Sequence, residues 1–465
     1  MEKRESLGSR LGFILLSAGC AIGLGNVWKF PNTAATNGGA IFILVYLLFL
    51  VIFGLPIMTM EFSVGRASRK SIAASFRALE PKGTKWHSFG FIGVAGNYLL
   101  MMFYTTVTGW MFAYFFKMIK GDFAGKSVEA VKNQFDALTG DPIVVIGFMV
   151  LTVVLGLLIC SLGLEKGVEK ITKVMMVALL AIISVLAINV MTLDGAMEGI
   201  KYYLVPNFER MQDNGVGIGD VITAALGQSF FTLSIGMGSM AIFGSYISRD
   251  RRLFGESLSI AALDTFVAFM SGLIIIPACF AFGFPFEQIQ EVAGPGLIFK
   301  ILPNVFNQMP FGQVWGALFF LFLIFAALST VVAVFENIIS FGMELGGWSR
   351  KKSCLINLGL IIVLSLPCAL GFNVLSGFNP LGEGTVILDL EDFIISNNIL
   401  PLGSLVYVLF CTSKKFGWGW DNFLEEANAG KGIAFPKWLK IYCKYILPII
   451  LFIFWIQGYI TMFFS

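Results

Sequence analysis

The sequence predicts an all-α polytopic membrane protein with 11 transmembrane helices, built as two five-helix inverted repeats in which helices 1 and 6 are broken. Three observations carry that expectation. First, 57% of the 465 residues are hydrophobic and only 13% are charged, with a mean hydropathy of +0.82. A soluble globule would present such a composition as one continuous greasy surface, and a disordered chain or a nucleic-acid binder would be far more polar. Second, apolar stretches of about 20 residues, the length that crosses a bilayer, recur along the whole chain. Third, glycine clusters interrupt the first and the sixth of those stretches.

In order, the candidate spans are 11–35, 39–65, 88–116, 142–164, 171–193, 219–248, 255–284, 312–344, 353–372, 384–412 and 438–463. The third carries no Asp, Glu, Lys or Arg from Trp86 to Phe116. With the N-terminus in the cytoplasm, 24 of the 32 Lys and Arg residues fall on the cytoplasmic side and seven in outer loops; Lys29 remains inside the first apolar region. Basic residues accumulate on the cytoplasmic side of short loops, so the N-terminus is expected inside and, after eleven spans, the C-terminus outside. The chain then divides into a cytoplasmic tail (1–10), a first repeat (11–193, spans 1–5), an outer loop (194–218), a second repeat (219–412, spans 6–10), a cytoplasmic loop (413–437) and a last span (438–465). Trp418 and Trp420 in the cytoplasmic loop read as interfacial anchors. No cleavable signal peptide is expected, because the first apolar segment runs into Lys29 and Pro31 rather than a small-residue cleavage site.

Span 1 contains Ala18-Gly19-Cys20-Ala21-Ile22-Gly23-Leu24-Gly25-Asn26, and span 6 contains Ser234-Ile235-Gly236-Met237-Gly238-Ser239. Glycine costs about 1 kcal/mol per interior helix position and permits unwinding. Each segment alone is equally consistent with close helix packing. Both, however, sit in the first span of a five-span block, and glycine-interrupted helices at matching places in two halves point to a transporter site at the repeat interface. An odd number of spans per block makes the halves inverted. Catalysis finds little support: His87 is the only histidine, no nucleophile–base pair is visible, and the seven cysteines lie mostly in apolar runs. The chain is not expected to be an enzyme.

Arg10-Leu11-Gly12-Phe13-Ile14, the glycine run to Asn26, Val27-Trp28-Lys29-Phe30-Pro31 and Asn37-Gly38-Gly39-Ala40 resemble the first helix of the neurotransmitter:sodium symporter family; Phe230-Phe231-Thr232-Leu233-Ser234-Ile235-Gly236 resembles its sixth. The resemblance implies a sodium-coupled, alternating-access symporter of the bacterial eleven-helix amino-acid branch, in the inner (plasma) membrane, working on an amino acid with two Na⁺ as a monomer or weak dimer. By the same resemblance, a first sodium site uses Ala21, Asn26, Thr232 and Asp264. A second uses the carbonyls of Gly19, Ile22 and Ala326 with the hydroxyls of Ser329 and Thr330. The substrate site comprises Ile22, Gly23, Gly25, Leu100, Tyr104, Phe231, Thr232, Ser234, Met237 and Val334, with Tyr104 on the substrate carboxylate, Ser234 near its amino group and Phe231 as a lid. Lys29 and Asp392 resemble an outer gate; Arg4 and Glu344, with Tyr246 nearby, resemble an inner one. Glu61 is expected to hold the unwound part of span 6, with Gln228 as neighbour.

Several departures from the family pattern carry meaning. Chloride-dependent members resemble this chain but have an asparagine where Asp264 stands and a serine where Ala268 stands, so a fixed carboxylate replaces the anion and transport is expected to be chloride-independent. Monoamine carriers have an aspartate at the place of Gly23; its absence leaves room for a substrate carboxylate, and hence an α-amino acid. Its side chain would meet Leu100, Phe231, Met237 and Val334, all apolar, where a charge would be buried unpaired, so a large hydrophobic or aromatic amino acid is expected. Span 5 lacks the proline many members carry. A small amino acid or osmolyte on the same fold is the alternative within transport; a receptor or channel is the alternative outside it, disfavoured by the paired ion-ligand positions and by the lack of an end-to-end polar stripe.

Overall fold

The computed structural model describes residues 7–213, 215–284 and 295–463. Among them, nine helices are long and apolar enough to cross a bilayer: Ala40–Ser68, Ser88–Lys120, Pro142–Ser161, Leu164–Met191, Leu253–Ala281, Gly312–Gly346, Arg350–Leu370, Ile387–Thr412 and Lys437–Ile460, which we number spans 2–5 and 7–11. The bent pair Arg10–Ala21 and Gly25–Thr36, kinked by 57°, forms span 1. The expected sixth span is two shorter helices, Ile218–Thr232 and Ser239–Gly244, with residues 233–238 unwound between them. Helices dominate because lipid offers no hydrogen bonds, so each backbone group must be satisfied within its own span. Span 5 begins at Leu164 rather than 171, as a wide turn (Leu164–Glu169) entered from Gly163 at φ +95°.

Spans 3 and 8 form the axis. Their apolar stretches are 78% and 83% enclosed by protein, against 22% for span 11, which is the most lipid-facing. Spans 1 and 6 cross near mid-length beside this axis. Gly236 fixes the second break: its φ of +98° is open to glycine alone among common residues, and a methyl group there would run into the Leu400 carbonyl and the Ser404 N–H of span 10. Gly236→Ala therefore adds backbone strain of about 1–3 kcal/mol to overpacking of similar size. A clear fall in thermal unfolding temperature in detergent is expected; an unchanged temperature would contradict this close approach.

The segment 413–437 does not lie as a simple interfacial loop. It contains the helix Trp420–Ala427, and Trp420 turns inward onto Phe423 and Phe435, at ring distances of 5.4 and 5.9 Å; it is buried rather than anchored in lipid. Glu426 of this helix meets Arg66 from the end of span 2 (2.6 Å) and Arg249 (2.8 Å). Arg66 is fully buried and also donates to the carbonyls of Glu426 and Arg251. Alongside, Lys431 donates its N–H to the Asp250 carbonyl (2.9 Å) and accepts from Arg252 (3.0 Å). This clasp ties the 420–432 segment to span 2 and to the 248–252 turn.

Candidate functional site

The two breaks face each other, with Ser234 of the second reaching the Cys20 carbonyl of the first. In span 1 the helix ends at Ala21, and Ile22 turns extended (ψ 99°). A helix end leaves its last carbonyls without helical partners, and those of Gly19, Cys20 and Ile22 turn toward span 8. Thr330 Oγ1 lies 3.2 Å from the Gly19 carbonyl, 3.4 Å from Cys20, 3.3 Å from Ile22 and 3.4 Å from Ala326. Ser329 Oγ lies 2.9 Å from both Gly19 and Ala326. One hydroxyl carries one proton, so Thr330 cannot serve four carbonyls as a donor. A surplus of neutral, hard oxygens converging on one point suits a cation, and the lack of any carboxylate in the set suits a monovalent one better than Ca²⁺ or Mg²⁺, which favour anionic oxygens. The five residues assigned to the second sodium site are thus brought together.

The first set also converges. Asp264 of span 7 is fully buried. It accepts from Asn26 Nδ2 at 2.8 Å and from Thr232 Oγ1 at 2.9 Å, while Asn26 Oδ1 accepts the Gly23 N–H at 3.2 Å. Asn26 comes from the second half of span 1, just after its break, and Thr232 is the last residue before the break in span 6. A buried carboxylate inside the membrane is costly and marks a functional position.

Between these sets lies a cavity walled by Ala21, Gly23, Gly25, Leu100, Tyr104, Phe231, Ser234 and Met237. The Tyr104 hydroxyl accepts from the Leu24 N–H at 3.0 Å and stands beside the Thr330 hydroxyl. A side chain on Gly23 would collide with that hydroxyl and with Thr330. Ser234 holds a left-handed backbone (φ +50°), and its Oγ reaches the Cys20 carbonyl at 3.4 Å; such strain concentrates at ligand sites. The remaining walls are apolar, so the cavity offers polar groups at one end and a greasy slot at the other, a common ligand-site design.

Three expected substrate residues serve elsewhere. Ile22 gives its carbonyl to the Thr330 cage, Thr232 gives its hydroxyl to Asp264, and Val334 is buried in span 8 outside the cavity lining. Conversely, Cys20, Leu24, Thr330, Ile395 and Leu400 also line the cavity. Leu24 sits inside the glycine run, which was the available signal. Ile395 and Leu400 come from span 10, where the helix passes through a wide turn (Ile395–Ile399), and nothing in their local sequence singles them out.

Of the two expected gate pairs, only Lys29–Asp392 lies wholly within the described residues. Lys29 Nζ stands 4.2 Å from the centre of the Phe231 ring, a cation–π contact, and no ion pair joins it to Asp392, which accepts from Ser396 at 2.8 Å. Arg4 lies outside the described residues. Glu344 accepts from the N–H and hydroxyl of Ser71 (2.9 and 2.7 Å). The Tyr246 hydroxyl donates to Glu336 (2.8 Å), which Arg350 grips at 2.7 and 3.0 Å. Glu61 accepts from the backbone of Gly236 (2.8 Å) and Met240 (2.9 Å), holding the unwound part of span 6. Gln228 instead donates to the Gly25 carbonyl (2.8 Å), bracing span 1.

Comparison with known proteins bears on this geometry. The chain matches the profile of the sodium:neurotransmitter symporter family over residues 4–141 and 142–464. An uncharacterized sodium-dependent transporter of Bacillus subtilis is 33% identical, with 97% of each chain covered. One from Methanocaldococcus jannaschii is 30% identical over 97% of this chain and 89% of its own. Among solved structures, MhsT in complex with L-phenylalanine superposes with a TM-score of 0.85 at 36% identity, covering 98% of this chain and 100% of that one.

Proposed function

Because the chain belongs to the sodium:neurotransmitter symporter family, and is thus a membrane transporter rather than an enzyme, we propose that it carries one zwitterionic α-amino acid with a large hydrophobic or aromatic side chain inward, coupled to two Na⁺. One observation carries this reading: the oxygen cage around Thr330 and the Asn26–Thr232–Asp264 cluster flank a cavity that is polar at one end and apolar at the other. Tyr104 and the Gly23–Gly25 backbone receive the carboxylate, Ser234 and the nearby carbonyls the amino group. The apolar slot of Leu100, Met237 and Phe231 takes the side chain. That L-phenylalanine is bound in MhsT supports the same choice. Sodium at the first cluster offsets Asp264 and lies beside the substrate carboxylate; sodium at the Thr330 cage ties span 1 to span 8. Helices 1, 2, 6 and 7 then rock against the rest around the site, in a chain of two inverted repeats, 11–193 and 219–412, with eleven spans, a cytoplasmic N-terminus and an outer C-terminus in a bacterial inner membrane.

The test is uptake into proteoliposomes driven by an imposed Na⁺ gradient, with labelled phenylalanine competed by all twenty amino acids. Sodium-dependent uptake inhibited best by large apolar or aromatic amino acids is expected, unchanged when gluconate replaces chloride. Absence of sodium-dependent uptake of any amino acid would overturn the proposal, and a strict chloride requirement would remove its chloride-independent part.

A further inference from the structure

Seven acidic side chains are buried among the described residues, and six of them have donors. Glu61 accepts two backbone N–H groups, and Asp264 accepts from Asn26 and Thr232. Glu169 accepts from Gly8 and Ser9, and Glu256, Glu336 and Glu426 each face an arginine. Glu391, at 3% exposure, is the exception: both of its carboxylate oxygens are buried with no N–H or O–H donor, and only the Cys368 thiol, a weak donor, stands within hydrogen-bonding reach. It lies in the first half of span 10, packed against spans 3 and 9. The titratable group facing it from span 9 is the Cys368 thiol; from span 3 comes the hydroxyl of Thr106, which faces the same thiol. On its own helix stand Asp389 and Asp392. No cation is among these groups, and the two aspartates oppose a further negative charge.

An ionised carboxylate sealed from water with no donor stronger than a thiol costs several kcal/mol, and a proton on one oxygen removes that charge. The position is also mechanically placed. Asp392 is the next residue, and Ile395, one turn further on, lines the substrate cavity. We propose that Glu391 is a proton-binding site of span 10. It holds a proton while the outer half of span 10 is packed against spans 3 and 9, and releases that proton to the outer water when this half swings away, so that outward opening and proton release are one event. Acidification outside then favours the packed form. This goes beyond the sodium and substrate sites and uses none of their ligands.

Infrared difference spectra of the full-length protein in lipid vesicles at neutral pH, wild type minus Glu391→Gln, test it without any substrate. A carbonyl band of a protonated carboxyl, shifted in D₂O, is expected in the wild type and lost in the variant. Cys368→Ala, which keeps Glu391, should shift that band. Identical wild-type and Glu391→Gln spectra in this region, or a band that Cys368→Ala leaves in place, would overturn the assignment. In sodium-driven uptake, the wild type should slow as outer pH falls while Glu391→Gln stays flat; a variant that keeps the wild-type pH profile would overturn the coupling. Because the infrared measurement needs no transported amino acid, failure of the substrate assignment and failure of the proton site are told apart.

Discussion

Asp264→Asn is expected to lose sodium-driven uptake in chloride-free buffer. The substitution keeps the size of the side chain, so the contacts to Asn26 and Thr232 are replaced by amide contacts of similar length and the fold survives. What disappears is the only negative charge among the residues assigned to the first sodium site. Removing one partner of a buried charge pair costs about 3–5 kcal/mol, which is at least a hundredfold in affinity. Sodium activation of uptake should move by that factor or vanish. Added chloride should restore uptake only when Ala268→Ser is also present, since the alanine offers an anion no donor. Uptake by Asp264→Asn at wild-type rates in gluconate would remove the carboxylate from ion binding.

Thr330→Val should weaken sodium binding even with no amino acid present. Valine matches threonine in shape but offers no oxygen to the cage and no proton to the carbonyls of Gly19, Cys20, Ile22 and Ala326. Leaving buried polar groups without their partner costs about 1–3 kcal/mol, a fall of roughly 5–150-fold in affinity. Direct binding of radioactive sodium to the purified protein measures this. The two variants separate the sites: Thr330→Val acts on substrate-free binding, whereas Asp264→Asn acts mainly on the sodium that shares the amino-acid carboxylate. Equal sodium binding by Thr330→Val and wild type would show that the cage holds no ion.

Much of this architecture is legible before any coordinates, because membrane helices are written in long apolar runs whose ends are marked by charge. The break in span 1 is legible only together with the matching cluster in span 6, since three glycines and an asparagine would by themselves also suit close helix packing. The donor sets are legible only through resemblance, since no spacing rule brings Asp264 to Asn26 across 238 positions. The contribution of span 10 is not legible at all. Ile395 and Leu400 look like ordinary apolar residues, and they reach the cavity because Gly236 lets the unwound part of span 6 lie directly on the span 10 backbone. Lys29 is similar. Its charge invites a carboxylate partner, yet no ion pair joins it to Asp392, and the Phe231 ring offers a cation–π contact worth about 0.5–2 kcal/mol.

The clasp at the end of span 2 sets a timetable for biogenesis. Arg66 and Glu426 are 360 residues apart, and ribosomes add about 5–20 residues per second. For roughly 20–70 s after Arg66 is synthesised, the carboxylate that neutralises it does not yet exist. A guanidinium buried without its partner is strongly unfavourable, so the nascent end of span 2 has to stay at the wet membrane surface until the 420–432 segment emerges. Final packing of that end is therefore a late, post-insertion event. A chain truncated before residue 420 would carry all ten earlier spans to the membrane and still fail to close the clasp around Arg66.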